Sequence, residues 1–122
     1  MERYDFEKRK FKFWFYHVTH REAIVRSLKT NCLEKNIDIY FGDIQYIEMP
    51  TSLADFRMEN ANDADIMYLE EKIGRPVQPQ NVTVLTLEER RFYVVASISK
   101  IVENSLEMNE LPISTFMKGV EL

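Results

Sequence analysis

The sequence predicts an α+β, mainly β domain: a mostly antiparallel sheet or sandwich-like barrel of about six to eight strands, with one helix near 63–73. Three observations predict it. The run Phe11-Lys12-Phe13-Trp14-Phe15-Tyr16-His17-Val18 fills both parities of a strand with bulky apolar side chains, as a strand covered on two faces near the centre of a sheet requires. Segments 81–87 and 91–98 are rich in β-branched and aromatic residues and flank the charged turn Glu88-Glu89-Arg90, the pattern of a hairpin. Helical spacing stands out only at 63–73, and the other connections are too short for helical crossovers, so parallel βαβ units are not expected.

Taken in order, residues 1–9 are a polar lead-in from which Tyr4 and Phe6 are placed to dock on the body. A first strand covers about 10–19. A second, at 23–28, follows a turn near His20-Arg21, and 29–35 is a polar loop. Asn36-Ile37-Asp38-Ile39-Tyr40-Phe41 alternates as a third strand. Gly42-Asp43 is either a turn or a bulge inside one long strand. The next strand is 44–49, ended by Pro50, which denies a backbone donor; 53–58 is a further short strand. Asn62 is an N-cap, and Asp63 and Asp65 occupy the first helical turn, where the dipole favours negative charge. Ile66, Leu69 and Ile73 form the apolar stripe, Gly74 suits the position after the helix, and Pro76 prevents continuation. Residues 76–80 are an extended loop. In the hairpin, Phe92, Val94, Ala96 and Ile98 share a face. Beyond Lys100 the pattern weakens: 104–110 is polar, and 111–120 is a tail that docks through Phe116. With no repeat or linker, residues 1–122 are expected to form one domain.

The net charge of −4 is unevenly spread. Residues 1–30 hold eight basic and four acidic groups, whereas 34–71 hold ten acidic groups and only Lys35 and Arg57 as basic ones. The acidic middle argues against nucleic acid and toward a basic protein partner. No apolar run approaches the roughly 18 residues of a transmembrane helix, so no membrane association is expected. The N-terminus lacks the apolar core of a secretory signal. Cys32 is the single cysteine, so no intrachain disulfide can form, and a cytoplasmic location is expected. Three glycines, Gly42, Gly74 and Gly119, cannot build a glycine-rich phosphate loop, and no cofactor is expected.

Several residue groups invite chemistry. Asp55, Glu59, Asp63, Glu70 and Glu71 are read as an acidic face that docks a basic protein. Glu70 and Glu71 fall near the helix C-terminus, where the dipole disfavours them, and such local conflicts mark function. Asp63-Ala64-Asp65 lacks the glycine and trailing glutamate of a calcium loop. His17 and His20 form an H-x-x-H pattern, but on a strand they point to opposite faces, so neither a metal site nor a catalytic set is assigned. The neighbours of Cys32 include no activating base, which makes it inert. Lys8-Arg9-Lys10 and Lys12 precede the aromatic run, a combination that can contact phosphates or an acidic surface. Because a core wants both faces of that run, it reads as a core strand with a charged entry.

Trp14-Phe15-Tyr16-His17-Val18-Thr19-His20, Arg26-Ser27, Asn36-Ile37-Asp38-Ile39, residues 46–53 and Arg91-Phe92-Tyr93-Val94-Val95-Ala96 together resemble a group of small, uncharacterised, single-domain bacterial proteins. Its pattern is an aromatic strand, then Val-Ser-His, a hydrophobic run ending in Arg-Ser, then Asn-Ile-Asp-Ile. Thr19 stands in place of the serine, and Ala23-Ile24-Val25 where leucines are frequent. Some members are similar to the immunity proteins that neutralise bacterial toxins, and the resemblance brings no catalytic set. Its polar positions His20, Arg26 and Asp38 have two readings. Either Arg26 and Asp38 form a buried pair that fixes strand register, or all three converge in a small polar pocket.

The expected function is therefore a non-enzymatic protein-binding module, of the immunity type that occludes a basic toxin or nuclease. The alternative is a structural or regulatory protein that forms homo-oligomers through a sheet edge. A third is a small-ligand-binding or hydrolytic protein using His17 or His20.

Overall fold

The computed structural model describes residues 4–6, 8–30, 33–107, 110 and 120–121. Its strands are β1 (Tyr4–Asp5), β2 (Lys10–His17), β3 (Glu22–Ser27), β4 (Asn36–Glu48), β5 (Ser52–Ala54), β6 (Arg57–Asn60), β7 (Val82–Leu87), β8 (Arg90–Asn104) and β9 (Val120–Glu121); α1 spans Asp63–Ile73. They form one sheet in the order β1-β6-β7-β8-β4-β3-β2-β5, with β9 on β8. All the pairings are antiparallel. The expected α+β, mainly β architecture with its helix at 63–73 is what the chain adopts.

The sheet curls until its ends meet. β1 and β2 are two halves of one bent strand, as are β5 and β6, and the two bent strands run against each other. Backbone bonds bridge the corners: Phe6 N–H to Phe56 O (3.0 Å), Asp55 N–H to Arg9 O (3.2 Å) and Phe13 N–H to Thr51 O (2.8 Å). Lys8 (φ 60°) and Asp55 (φ 54°) sit in the left-handed region at the two bends, and the Lys8 N–H donates to the Asp55 carboxylate. Inside the curl lie Phe6, Phe11, Phe56, Val25, Ile39 and Leu85 among others. Phe6, Phe11 and Phe56 meet with ring centroids 5.0–5.2 Å apart. Burying each such side chain stabilises by about 1.5–3 kcal/mol.

The helix packs on the outer face of the sheet. Leu69, with Ile66 and Ile73, meets Val82, Val84, Tyr93 and Val95. Its start is a reciprocal capping box: the Asn62 side chain accepts from Asp65 N–H, and the Asp65 side chain accepts from Asn62 N–H. Gly74 ends it at φ 82°, donating to Glu70 O.

Several boundaries differ from expectation, each for a local reason. A bulge between Phe13 and Phe15 swaps parity in β2, so Tyr16 rather than Phe15 shares a face with Phe13 (ring centroids 6.5 Å apart). β5 pairs only with Lys10, Phe11 and Lys12, so the aromatic strand is central in its first half alone, and Tyr16 is 39% exposed. Gly42-Asp43 is not a hairpin turn; β4 runs through it, with the register shift falling between Ile44 and Tyr46. The strand expected at 53–58 is broken at Asp55. β8 continues to Asn104 because all of β4 is available to pair with it. Cys32 and the Phe116 tail lie outside the described residues. No helix among the described residues is long and apolar enough to cross a membrane.

Candidate functional site

The polar positions resolve into a structural pair and a separate surface group. Arg26 and Asp38 are register partners on β3 and β4. Arg26 Nε donates to Asp38 Oδ1 (2.6 Å) and Nη2 to Oδ2 (2.9 Å), and both residues are buried. Asn104 Nδ2 also donates to Asp38 Oδ2 (2.8 Å), while Asn36 Nδ2 donates to Asn104 Oδ1 (2.9 Å) and to Leu106 O (2.8 Å). Among the described residues no buried side-chain polar atom lacks a partner. His20 does not join this network. It lies in the turn before β3, its side chain 65% exposed and 3.2 Å from Glu22; six residues of chain from Arg26 span about 20 Å in a strand. The three-residue pocket therefore does not form.

The two histidines also depart from expectation. β2 ends at His17, and the turn that follows folds His20 back so that the rings stack 4.3 Å apart. The His20 N–H donates to His17 Nδ1 (3.1 Å). They share a side because the strand stops, not because its alternation fails. No cluster of three or more potential metal ligands occurs among the described residues.

The acidic set is divided. Asp55 accepts a backbone bond at the corner. Glu59 pairs with Arg91 Nη1 (2.9 Å). Glu70 accepts from Val77 N–H (2.9 Å), tying the chain after Gly74 back to the helix; its position near the C-terminus thus has a structural cause. Asp63 and Glu71 remain exposed on α1, one turn on either side of Met67, which is 72% exposed. Spacing of four residues puts all three on one helix face.

A polar clip that sequence reasoning missed fixes α1 to the sheet. Buried Asp65 accepts from Arg91 Nε (2.8 Å) and Nη2 (2.6 Å) and from Tyr93 Oη (2.8 Å), besides Asn62 N–H. Burial pushes the Asp65 carboxyl up, but the bonds from Arg91, Asn62 and Tyr93 outweigh it and hold the carboxyl below its ordinary range. The bond to Asp65 is the main cause that raises Arg91 in turn. The sequence signal was the spacing Asn62-x-x-Asp65 just before an apolar stripe.

A concave feature lies elsewhere, on the outer face of β2 and β3. A groove of about 520 Å³ is lined, among the described residues, by Lys8, Lys10, Lys12, Trp14, Arg26, Ser27, Leu28, Thr30 and Leu33. Lys10 and Lys12 share a face because side chains alternate along β2. Lys8 reaches the same groove from the left-handed corner. The Arg26 guanidinium lies 5.8 Å from the Trp14 ring centroid, a cation–π distance that helps fix the indole.

No known protein family matches this chain, and neither does any curated protein or solved structure.

Proposed function

We propose that this chain is a non-enzymatic protein-binding module that docks a basic partner on the outer ridge of α1. The observation that carries it is Met67, 72% exposed and framed by Asp63 and Glu71. A flexible apolar side chain in a charged frame supplies the contact area of an interface, and the carboxylates steer a basic surface toward it. The ridge is convex and suits a cleft on the partner, which is the geometry of occlusion. An immunity-type inhibitor of a basic toxin or nuclease fits this reading.

The test is to sequence the genes that flank this one and to titrate, by calorimetry, the purified product of any that encodes a large basic protein with this chain, with Met67→Ala and with the double change Asp63→Lys with Glu71→Lys. Each is expected to weaken binding by at least about tenfold, or 1.4 kcal/mol, with unchanged circular dichroism. Undiminished binding by the double charge reversal overturns the proposal.

A second reading, self-association, is favoured by the second half of β2. Beyond Lys12 no β5 residue pairs with it, and Val18 beside it is 77% exposed. An open edge is a template for strand pairing. A concentration-dependent dimer in sedimentation, abolished by Phe15→Pro, supports this second reading; a monomer at all concentrations removes it.

A further inference from the structure

The groove on β2 and β3 is unrelated to the α1 ridge and has a different character. It is concave, and its volume of about 520 Å³ falls within the range of small-ligand sites. Its described lining is cationic. Lys8, Lys10 and Lys12 line it, and none of the described residues that line it is acidic. The ammonium groups of these lysines make no hydrogen bond or ion pair among the described residues. Arg26 beneath them adds little net charge, because Asp38 meets it in a two-point contact. In a chain of net charge −4, three cations line a groove whose described walls hold no carboxylate; Asp55, at the Lys8 corner, is engaged by the Lys8 backbone N–H, so the lysine heads are left for an anionic ligand.

The walls say what else that ligand carries. Trp14, Leu28 and Leu33 are apolar, and lysine stems add methylene surface while their heads stay in water. An inorganic anion would leave these walls uncovered. Alternation along β2 puts Trp14 on the same side as Lys10 and Lys12, and the bulge between Phe13 and Phe15, which leaves Trp14 without a register partner on β3, keeps it at the groove. The objection that a core claims both faces of the aromatic run does not hold for this residue, which is only half-buried.

We infer that the groove binds a nucleotide-sized organic phosphate. The phosphate groups lie against Lys8, Lys10 and Lys12, which act as point charges, and a ring-bearing body covers Trp14, Leu28 and Leu33. Aromatic stacking and charge neutralisation then act on one ligand.

Trp14 is the single tryptophan of the chain, so its fluorescence reports on this groove directly. The experiment titrates the full chain, excited at the red edge of the indole band, with adenosine triphosphate, inorganic tripolyphosphate and adenosine. The expected result is a saturable change with adenosine triphosphate, and binding at least about tenfold weaker for each of the other two. Lys10→Ala with Lys12→Ala is expected to weaken adenosine triphosphate binding by a similar factor, whereas Arg90→Ala, which removes an exposed cation at the β7–β8 turn, leaves it unchanged. Circular dichroism confirms that the variants fold. Absence of a saturable change overturns the inference. So does equal binding of tripolyphosphate, which makes the site electrostatic alone, or equal binding of adenosine, which leaves the lysines without a role. Equal loss in Arg90→Ala overturns it as well, by showing that only overall charge matters. The α1 variants are expected to leave this titration unchanged, so failure here and failure of the docking reading are told apart.

Discussion

Arg26 and Asp38 face each other across β3 and β4 in a two-point contact of 2.6 and 2.9 Å, with neither side chain exposed to solvent. Two charges taken out of water cost much of what their attraction returns, so such a pair specifies register more than it stabilises. Removing one partner is a different matter, because it strands a buried charge. Asp38→Ala is expected to cost about 3–5 kcal/mol, and it also takes an acceptor from Asn104. The double change Arg26→Met with Asp38→Leu is expected to cost less than Asp38→Ala alone. Urea denaturation of the single and double variants measures both; a double variant as unstable as the single one would mean the pair is not self-compensating.

Asp65 gives the fold an acid-sensitive clip. Its folded carboxyl is held below the unfolded value by Arg91, Asn62 and Tyr93 acting against burial. The sign follows: the stabilisation is complete above the unfolded pKa of about 3.9 and is lost as pH falls through the lowered value. Asp65→Asn keeps an acceptor for the Asn62 N–H but loses the charge that Arg91 needs. It is expected to lower stability at pH 7 and to flatten the fall in stability below about pH 4. Urea midpoints measured from pH 2 to 7 test this, and an unchanged acid limb would remove Asp65 from the account.

The elements were legible in the sequence wherever one local rule decided them. The helix carried its own cap, stripe and stop in Asn62, Ile66, Leu69, Ile73 and Gly74. The hairpin of 81–87 and 91–98 showed itself by β-forming residues on either side of a short charged turn, whereas the extension of β8 to Asn104 did not, because it is set by pairing with β4. Closure of the sheet was hidden, because it depends on Lys8 and Asp55 both bending at the same level; lysine gives no sign of a left-handed backbone, and a lone aspartate tolerates one without requiring it. The groove was only half visible. Parity along β2 puts Trp14 with Lys10 and Lys12, but Lys8 joins them only because the chain bends there, and Leu28 and Leu33 reach the groove through tertiary structure. The division of the acidic set was invisible for a similar reason: Glu59 and Glu70 are partnered by Arg91 and the Val77 N–H, contacts set by tertiary structure.

Gly74 tests the helix terminus in isolation. Its φ of 82° is left-handed, and a Cβ placed there would meet nothing within 4 Å. Gly74→Ala therefore carries a backbone cost and no steric one. It is expected to destabilise by about 1 kcal/mol, and Gly74→Asn by less, since asparagine tolerates this conformation better. Thermal unfolding of the two variants gives the order. Equal loss in both would point to a steric cause that the open surroundings do not provide.

Gly42 is set by a neighbour rather than by its own backbone. Two residues apart on β4, Tyr40 and Gly42 share a face, and the phenol folds along the strand over the glycine. A Cβ at Gly42 would lie 2.8 Å from Tyr40 Oη and 3.1 Å from the ring. The contact is with a side chain, so the ring can move, but Tyr40 Oη also donates to Glu22 Oε2 at 2.9 Å. Burial first, and then Glu22, push the Tyr40 phenol up to about 12. Because the folded value is raised, this stabilisation is whole below the unfolded value of about 10 and is lost as pH rises through about 12. Gly42→Ala is expected to break the Tyr40–Glu22 bond, to cost about 1 kcal/mol at pH 7, and to bring the Tyr40 phenol back toward about 10. Absorbance at the phenolate band during alkaline titration reads the phenol directly, and Tyr40→Phe identifies which part of the curve belongs to it. If Gly42→Ala titrates like the parent chain, the ring has not moved and the glycine has another cause.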